Sequence, residues 1–457
     1  MKKWILLLVV FAFVLVAVAC GETETDTETP QPQPEDSADT EVPDDGDEII
    51  ELTLTWGPME PETVAAWQKF YFDPFIEENP NVRINFNTIH GAGETVRIQV
   101  AAGAGPDIFE ADVFEVPHFA GAGSIVPLCE FAEKWNWADT IFSWGLATAT
   151  WDGRLWGIPH SYEVTGLYYN ADMLREFGLE VPTTREEWLH ASQVAMDNGL
   201  IALGYGFAND SLFQQWIFDH YLTAYAGADN IARLFRGELQ FTDPEIAGAF
   251  YMLKEDWDAG IINNGLSGAI TEEEGRALFL NEQAMFNPEG TWLSATVVPP
   301  GTWDFDWGFA PWPAFRDGNE PAGSIGVGAT LMINAITEHL DVAAAFLNSF
   351  YAADPSWIAE GVAAGLEPLA TPIDISLMPA DTHADTLETL EAINRIAGLP
   401  NASYAPWTFY PARTNIWLQE NLAMIWYDEM TVAEFLEAAQ QVLDGELAEG
   451  FTFTSFE

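Results

Sequence analysis

Basic residues are scarce in this chain of 457 residues. There are 16 Lys and Arg against 71 Asp and Glu, for a formal charge of −55. That shortage disfavours nucleic acid as a partner, because binding it needs cations to neutralise phosphates. An anionic membrane surface is disfavoured on the same ground. Cysteine is almost missing, with Cys20 and Cys129 alone, so no disulfide framework supports the fold. The seven histidines are scattered, without His-x-x-x-His or Cys-x-x-Cys spacing, which argues against a zinc site. A Walker-type phosphate loop and a Gly-x-Ser-x-Gly elbow are both missing. The acidic stretch 44–48 lacks a calcium-loop pattern and reads as solvated tail. The acidic excess repels itself unless counterions screen it. It fits a saline or alkaline habitat, and it fits an ordinary acidic secreted protein.

The long unbroken apolar run, Trp4 to Ala19, has sixteen residues, short of the roughly 20 that span a bilayer as a helix. Lys2 and Lys3 precede it and Cys20 follows it. A basic start, a short apolar stretch and small residues before a cut describe a secretory signal peptide over 1–19. With a cysteine at the cut it resembles a bacterial lipoprotein signal, although Ala17 stands where leucine is usual. That resemblance implies a lipid on Cys20 and a site of action outside the cytoplasmic membrane, tethered to it. Residues 20–48 read as an acidic linker. Glu22 to Thr29 alternates Glu or Asp with Thr, and Pro30, Pro32 and Pro34 keep the segment extended. If Cys20 carries lipid, Cys129 has no partner. Its apolar setting, Ile125-Val126-Pro127-Leu128, predicts a buried inert thiol.

The body begins near Ile49. Glu51 to Trp56 alternates and reads as a strand. Pro61 to Phe75 reads as a helix with Val64, Trp67, Phe70 and Tyr71 on one face. Asn81 to Thr88 predicts a second strand, Glu94 to Ala102 a helix, and Asp107 to Phe109 a third strand. This alternation implies parallel pairing with right-handed crossovers. Ligands bind beyond the carboxyl ends of such strands, which points to Trp56 after the first strand and to Glu110 and Asp112 after the third. Capping boxes are expected at Thr183 with Glu186, Thr242 with Glu245, Thr271 with Glu274 and Thr431 with Glu434. Gly178 and Gly260 are expected as helix C-caps. Further strands are expected at 307–310 and 329–333. The fold class is α/β, with no internal repeat.

Several ordered segments together carry a family pattern. They are Gly105-Pro106-Asp107-Ile108-Phe109, Trp151 to Pro159, Gly166-Leu167-Tyr168-Tyr169-Asn170, and Phe177-Gly178-Leu179 with Pro182-Thr183-Thr184 and Glu187-Trp188. Later come Ala284-Met285 with Gly290-Thr291-Trp292, Gly326-Val327-Gly328 with Ala343 to Leu347, and Phe409 to Thr414. This set is similar to the extracellular solute-binding proteins of ABC importers, in the sugar-binding group that includes maltose-binding protein. The resemblance spans residues 50–447, with Arg185 standing where the family has tryptophan. It implies a two-lobed periplasmic-binding-protein fold, each lobe a mostly parallel sheet flanked by helices, hinged by crossings near Pro159, Gly323 and Leu369. Lobe 1 would be 49–159 with 324–369, and lobe 2 would be 160–323 with 370–457. The implied function is capture of a sugar and its delivery to a permease, by a monomer without catalysis or cofactor.

In that frame Tyr162 lies just past the first crossing, and Trp292 matches the family's stacking tryptophan, with Gly290 allowing close backbone approach. Phe409, Tyr410 and Arg413 match an aromatic-rich ligand helix. Aromatic rings pack on the C–H faces of a sugar, and carboxylates accept from its hydroxyls in charge-assisted bonds. A phosphorylated or carboxylated ligand would want an arginine cluster or a helix N-terminus. No basic cluster occurs near these segments, so a neutral carbohydrate fits better. The competing class is a secreted glycoside hydrolase, which needs two carboxylates flanking one bond; with 71 acidic residues, sequence neither supports nor excludes it. A scaffold lipoprotein is a third possibility.

Overall fold

The computed structural model describes residues 48–89, 92–208, 211–399 and 402–451. The expected signal peptide, the lipid-bearing Cys20 and the linker up to Asp47 lie outside the described residues. Glu48–Glu457 form one unit, built around two mixed sheets. In chain order the strands are β1 (Ile50–Trp56), β2 (Val82–Thr88), β3 (Ile108–Ala111), β4 (Thr150–Trp151), β5 (Arg154–Leu155), β6 (Gly157–Pro159) and β7 (Tyr162–Asn170). They continue with β8 (Ile201–Leu203), β9 (Ala284–Gly290), β10 (Trp307–Ala310), β11 (Gly323–Val327), β12 (Thr330–Ile333) and β13 (Ala402–Tyr404).

The first sheet has the order β2-β1-β3-β12-β6. β1 pairs parallel with β2, from Ile50 opposite Val82 to Trp56 opposite Thr88, and parallel with β3. β12 returns antiparallel to β3 and β6. The two-residue alternation of β1 puts Leu52 and Leu54 fully into the core, because successive side chains point to opposite faces. The expected helix over 61–75 is a helix from Pro61–Trp67, a π turn over Gln68–Phe72 and a helix over Asp73–Glu78. Its Trp67, Phe70, Phe72 and Phe75 are buried.

The second sheet has the order β13-β11-β7-β9-β8, with β10 also on β7. β7 is its centre and is buried along nearly its whole length. β9, β10 and β11 all run antiparallel to β7, while β8 and β13 are parallel to their neighbours. Antiparallel pairing therefore dominates here, where a mostly parallel sheet was expected. The chain passes between the sheets at 160–161, from β6 to β7, and again at 328–329, from β11 to β12. Gly323 opens β11 inside the second sheet. A third segment runs beside the first passage, where Leu369 bridges Ser161 and the Tyr162 N–H donates to the Pro368 carbonyl at 2.6 Å.

Local signals decide the helix ends. Thr271 with Glu274 and Thr431 with Glu434 form reciprocal capping boxes. In the third case the cap falls one residue later than expected, at Thr184 with Glu187, whose carboxylate also accepts from the Thr183 hydroxyl. Thr242 does not cap. Asp243 takes the cap position before Pro244 and accepts instead from the Gln240 N–H. Gly178 ends its helix in the left-handed region at φ 68, where glycine meets no Cβ penalty. Gly260 follows one residue after the cap Ala259. Cys129 is half-buried and opens a helix, its sulfur accepting from the Leu155 N–H.

Asp256 is a buried carboxylate near the second sheet that is met by four donors. Asp256 is 1 % exposed. It accepts two bonds from Arg185 at 2.6 and 2.5 Å, one from Trp188 Nε1 at 3.0 Å and one from the Tyr221 hydroxyl at 2.6 Å. The carboxylate thereby ties helix Arg185–Asp197 to helix Pro244–Asp258. Removing it leaves a mostly buried guanidinium without its main counter-charge. Asp256→Ala is expected to lower stability by about 3–5 kcal/mol, read as a shift in the denaturant midpoint; a loss below roughly 1 kcal/mol would show that solvent replaces the carboxylate.

Candidate functional site

A cavity of about 350 Å³ opens between the two sheets. The first sheet supplies Trp56 at the end of β1, Glu110 in β3 and Asp112 just beyond it. The second supplies Glu163 and Thr165 of β7, Trp216 of helix Ser211–Phe235, and Arg276 of helix Glu272–Leu280. Trp292 follows β9, and Trp407 lies in the 3₁₀ turn Pro406–Thr408. The passages between sheets contribute Ser161, Gly328 and Glu367.

The aromatic side is built on glycine and charge. A Cβ on Gly290 would fall 1.8 Å from the Trp292 ring, so this indole can lie against its own backbone because residue 290 has no side chain. Trp292 Nε1 donates to Glu289 Oε2 at 2.9 Å. Glu289 is 2 % exposed, and its other oxygen accepts from Arg276 Nε at 2.9 Å. Arg276 also pairs with Glu272. Arginine thus holds the acid that holds the indole. The Trp216 ring lies 5.1 Å from Trp292 and 5.9 Å from Trp407, inclined at 31° and 76°. On the first-sheet side, Trp56 packs on Trp67 and His160, each at 4.8 Å. Burial pushes His160 down to about 3, so it packs there as a neutral ring.

The acidic side is crowded. Glu110 Oε2 accepts from the Gly57 N–H at 2.7 Å. Burial nevertheless pushes its carboxyl up to about 7; the Gly57 bond opposes the rise and nearby Glu115 adds to it. Glu163 is buried, and its pKa is driven well above the usual carboxylate range. Burial is the largest cause, followed by repulsion from Glu367, Asp112, Glu110 and Glu289. A Cβ on Gly328 would fall 2.2 Å from the Glu163 carboxylate, so glycine there makes room for the acid. Burial also raises Glu289, with Arg276 opposing.

Four of the eight expected ligand residues line this cavity: Trp56, Glu110, Asp112 and Trp292. The other four lie elsewhere. Tyr162 is 7 % exposed and packs against Phe142 and Trp144. Phe409 packs edge-on to Tyr404 at 5.0 Å. Tyr410 is buried, and its hydroxyl donates to Asp219 at 3.3 Å. Arg413 is half-exposed and pairs with Glu449 at 2.7 Å, while its backbone N–H donates to Glu446. Residues not foreseen include Glu163, Trp216, Arg276, Glu367 and Trp407. Strand parity could have found Glu163, since an inward Tyr162 sends its neighbour to the opposite face. Among the described residues no group of three or more His, Cys, Asp or Glu is placed to hold a metal ion.

Comparison with known proteins agrees with this architecture. The family described as bacterial extracellular solute-binding protein matches residues 60–356. A multiple sugar-binding protein of Streptococcus mutans is 24 % identical over 323 residues, which are 65 % of this chain and 70 % of that protein. A chitin oligosaccharide binding protein superposes with a TM-score of 0.75 at 20 % identity, covering 88 % of this chain and 100 % of its own. Maltose-bound T. maritima MalE3 superposes with a TM-score of 0.67 at 17 % identity, over 87 % of this chain and 100 % of its own.

The crowded acids have a consequence for stability against pH. A carboxyl whose folded pKa is raised binds its proton more tightly when folded, so it contributes stability below the ordinary value and loses it as pH rises through the folded value. For Glu110 that window runs from 4.5 to about 7. Glu110→Gln is therefore expected to raise the melting temperature above neutral pH, by the equivalent of about 2 kcal/mol, and to leave it unchanged at about pH 4; Glu163→Gln is expected to act in the same direction. Equal or lower melting temperatures at both pH values would show that these carboxyls are not in conflict.

Proposed function

The chain belongs to the bacterial extracellular solute-binding protein family, and on that premise we propose that it captures a carbohydrate between its lobes and hands it to the permease of an ABC importer. The lobes would be 48–159 with 329–369 and 162–327 with 370–451, moving about the passages at 160–161 and 328–329. One observation carries the reading: three tryptophans from one sheet's side, Trp216, Trp292 and Trp407, share a cavity with Trp56 and carboxylates from both sheets, among them the buried Glu163. Ring faces pack on the C–H faces of a sugar, and carboxylates accept from its hydroxyls. Mostly aromatic walls with a few placed polar groups are the usual make-up of small-molecule sites.

Closure of the lobes would expel water and strengthen each polar contact in the lower dielectric. In this role the ligand leaves chemically unchanged. The upstream segment fits the same role: a lipid on Cys20 and an acidic, proline-bearing linker would hold the binding unit outside the cell membrane, within reach of the permease. The names of the S. mutans relative and of the structural neighbours favour a saccharide over a peptide or metal.

A thermal-shift screen over mono- and oligosaccharides tests this. A true ligand at a hundred times its Kd stabilises by about 2.7 kcal/mol, and chromatography should recover it intact. Trp292→Ala is expected to weaken that ligand by roughly 2 kcal/mol or more, as for a buried aromatic anchor, with the unliganded melting temperature little changed. Hydrolysis of the sugar would favour an enzyme. Unaltered affinity in the variant would remove Trp292 from the site.

A further inference from the structure

The low count of Lys and Arg argues against an anionic ligand but does not separate a neutral one from a cationic one. The cavity does. Its described lining carries five carboxylates, Glu110, Asp112, Glu163, Glu272 and Glu367, against one cation, Arg276. That cation is already committed to acids, bonding Glu289 at 2.9 Å and pairing with Glu272. The remaining carboxylates come from β3, the turn after it, β7 and the third passage, so they converge from separate parts of the chain on one cavity.

A second observation points to a ligand. Ser161, Glu163 and Thr165 are spaced by two along the start of β7 and all line the cavity, as residues on one face of an extended strand must. Ser161 Oγ and Thr165 Oγ1, in residues 0 % and 4 % exposed, have no hydrogen-bond partner among the described residues. Buried hydroxyls are ordinarily satisfied. The strand therefore presents a row of hydroxyl, carboxylate and hydroxyl, rich in acceptors. An ammonium is a matching group, with three donors and no acceptor, whereas each sugar hydroxyl brings one donor. The tryptophan faces add to this, because ring quadrupoles attract cations.

We propose that the ligand carries a protonated amine, as an amino sugar does, and that the amine enters the acidic side of the cleft at Glu163 while the sugar ring lies against the tryptophans. This rests on the carbohydrate reading above and narrows it to amine-bearing saccharides. It explains why a family site for sugars would keep so many acids in mutual repulsion: the bound cation relieves it. Burial of Glu163, with repulsion from its acidic neighbours, raises its affinity for a proton. Entry of the ammonium then displaces that proton to solvent, with no covalent bond made or broken.

The test is calorimetric titration of the full chain with matched saccharides that differ at one carbon. The probes are glucosamine oligomers, N-acetylglucosamine oligomers and cello-oligomers, together with galactosamine beside galactose. At about pH 6 these amines are protonated. Amine members are expected to bind at least tenfold tighter than their matched neutral partners and to release protons, seen as a dependence of heat on buffer. Added salt, Glu163→Gln and Glu110→Gln should each shrink that preference. If neutral members bind as tightly as the amines or tighter, the inference fails and the carbohydrate reading stands. If a saccharide binds with the amine preference intact in both variants, the acidic side of the cleft is not where the amine sits, and the inference fails. If none of the saccharides binds, the carbohydrate reading falls and the inference with it.

Discussion

A carboxylate is buried where the chain passes between its two sheets, and the rest of the cleft is arranged around it. Glu163 follows the first passage directly. Its carboxyl lies against Gly328 of the second passage, and the strongest repulsion on it comes from Glu367 beside the third. Three segments of chain thus meet at one acid. Burying a charge without a cation is unfavourable, so a proton or a ligand must offset it. The position matters as much as the charge: a group lodged between the passages feels any change in their geometry.

The same constraint accounts for the uneven distribution of residues in the cleft. Arg276 would quench the acids if it reached them, but it is held by Glu272 and Glu289 on the side of the tryptophans. There it orients Trp292 through Glu289. The cleft is thereby divided into an aromatic part, positioned by a neutralised charge network, and an acidic part that keeps its excess. Glycine serves both. Gly290 admits the Trp292 ring and Gly328 admits the Glu163 carboxylate, and in each case any Cβ would meet the functional group itself.

Much of this was legible from sequence, and the gaps have physical reasons. Trp56, Glu110 and Asp112, chosen for their places at the carboxyl ends of parallel strands, where topology leaves a crevice, do line the cavity. Trp292, singled out with the glycine two residues earlier, also lines it. Glu163, not the chosen Tyr162, is the residue of that pair that lines the cavity. Choosing Tyr162 fixed the strand's parity the other way, and a one-residue step exchanges every inward side chain for its neighbour. Trp216 sits within an apolar helix whose neighbours Ile217 and Phe218 are core, so nothing local separates it from them. Around 407–413 the aromatic cluster was recognised but not its register. The 3₁₀ turn at Pro406–Thr408 turns Trp407 into the cavity, while Tyr410 goes to Asp219 and Arg413 to Glu449. In the fold, β1 to β3 were readable from alternation. The antiparallel surroundings of β7 were not, because a strand buried on both faces carries no alternation to read.

The most direct measurement is the pH titration of the Glu163 carboxyl in the unliganded protein. It can be followed by NMR of glutamate labelled with ¹³C at the carboxyl carbon and assigned by the signal lost in Glu163→Gln. The account predicts a midpoint well above the ordinary 4.5 of a glutamate, falling when Glu367 is replaced by Gln. A midpoint at or below 4.5, unmoved by that replacement, would contradict it.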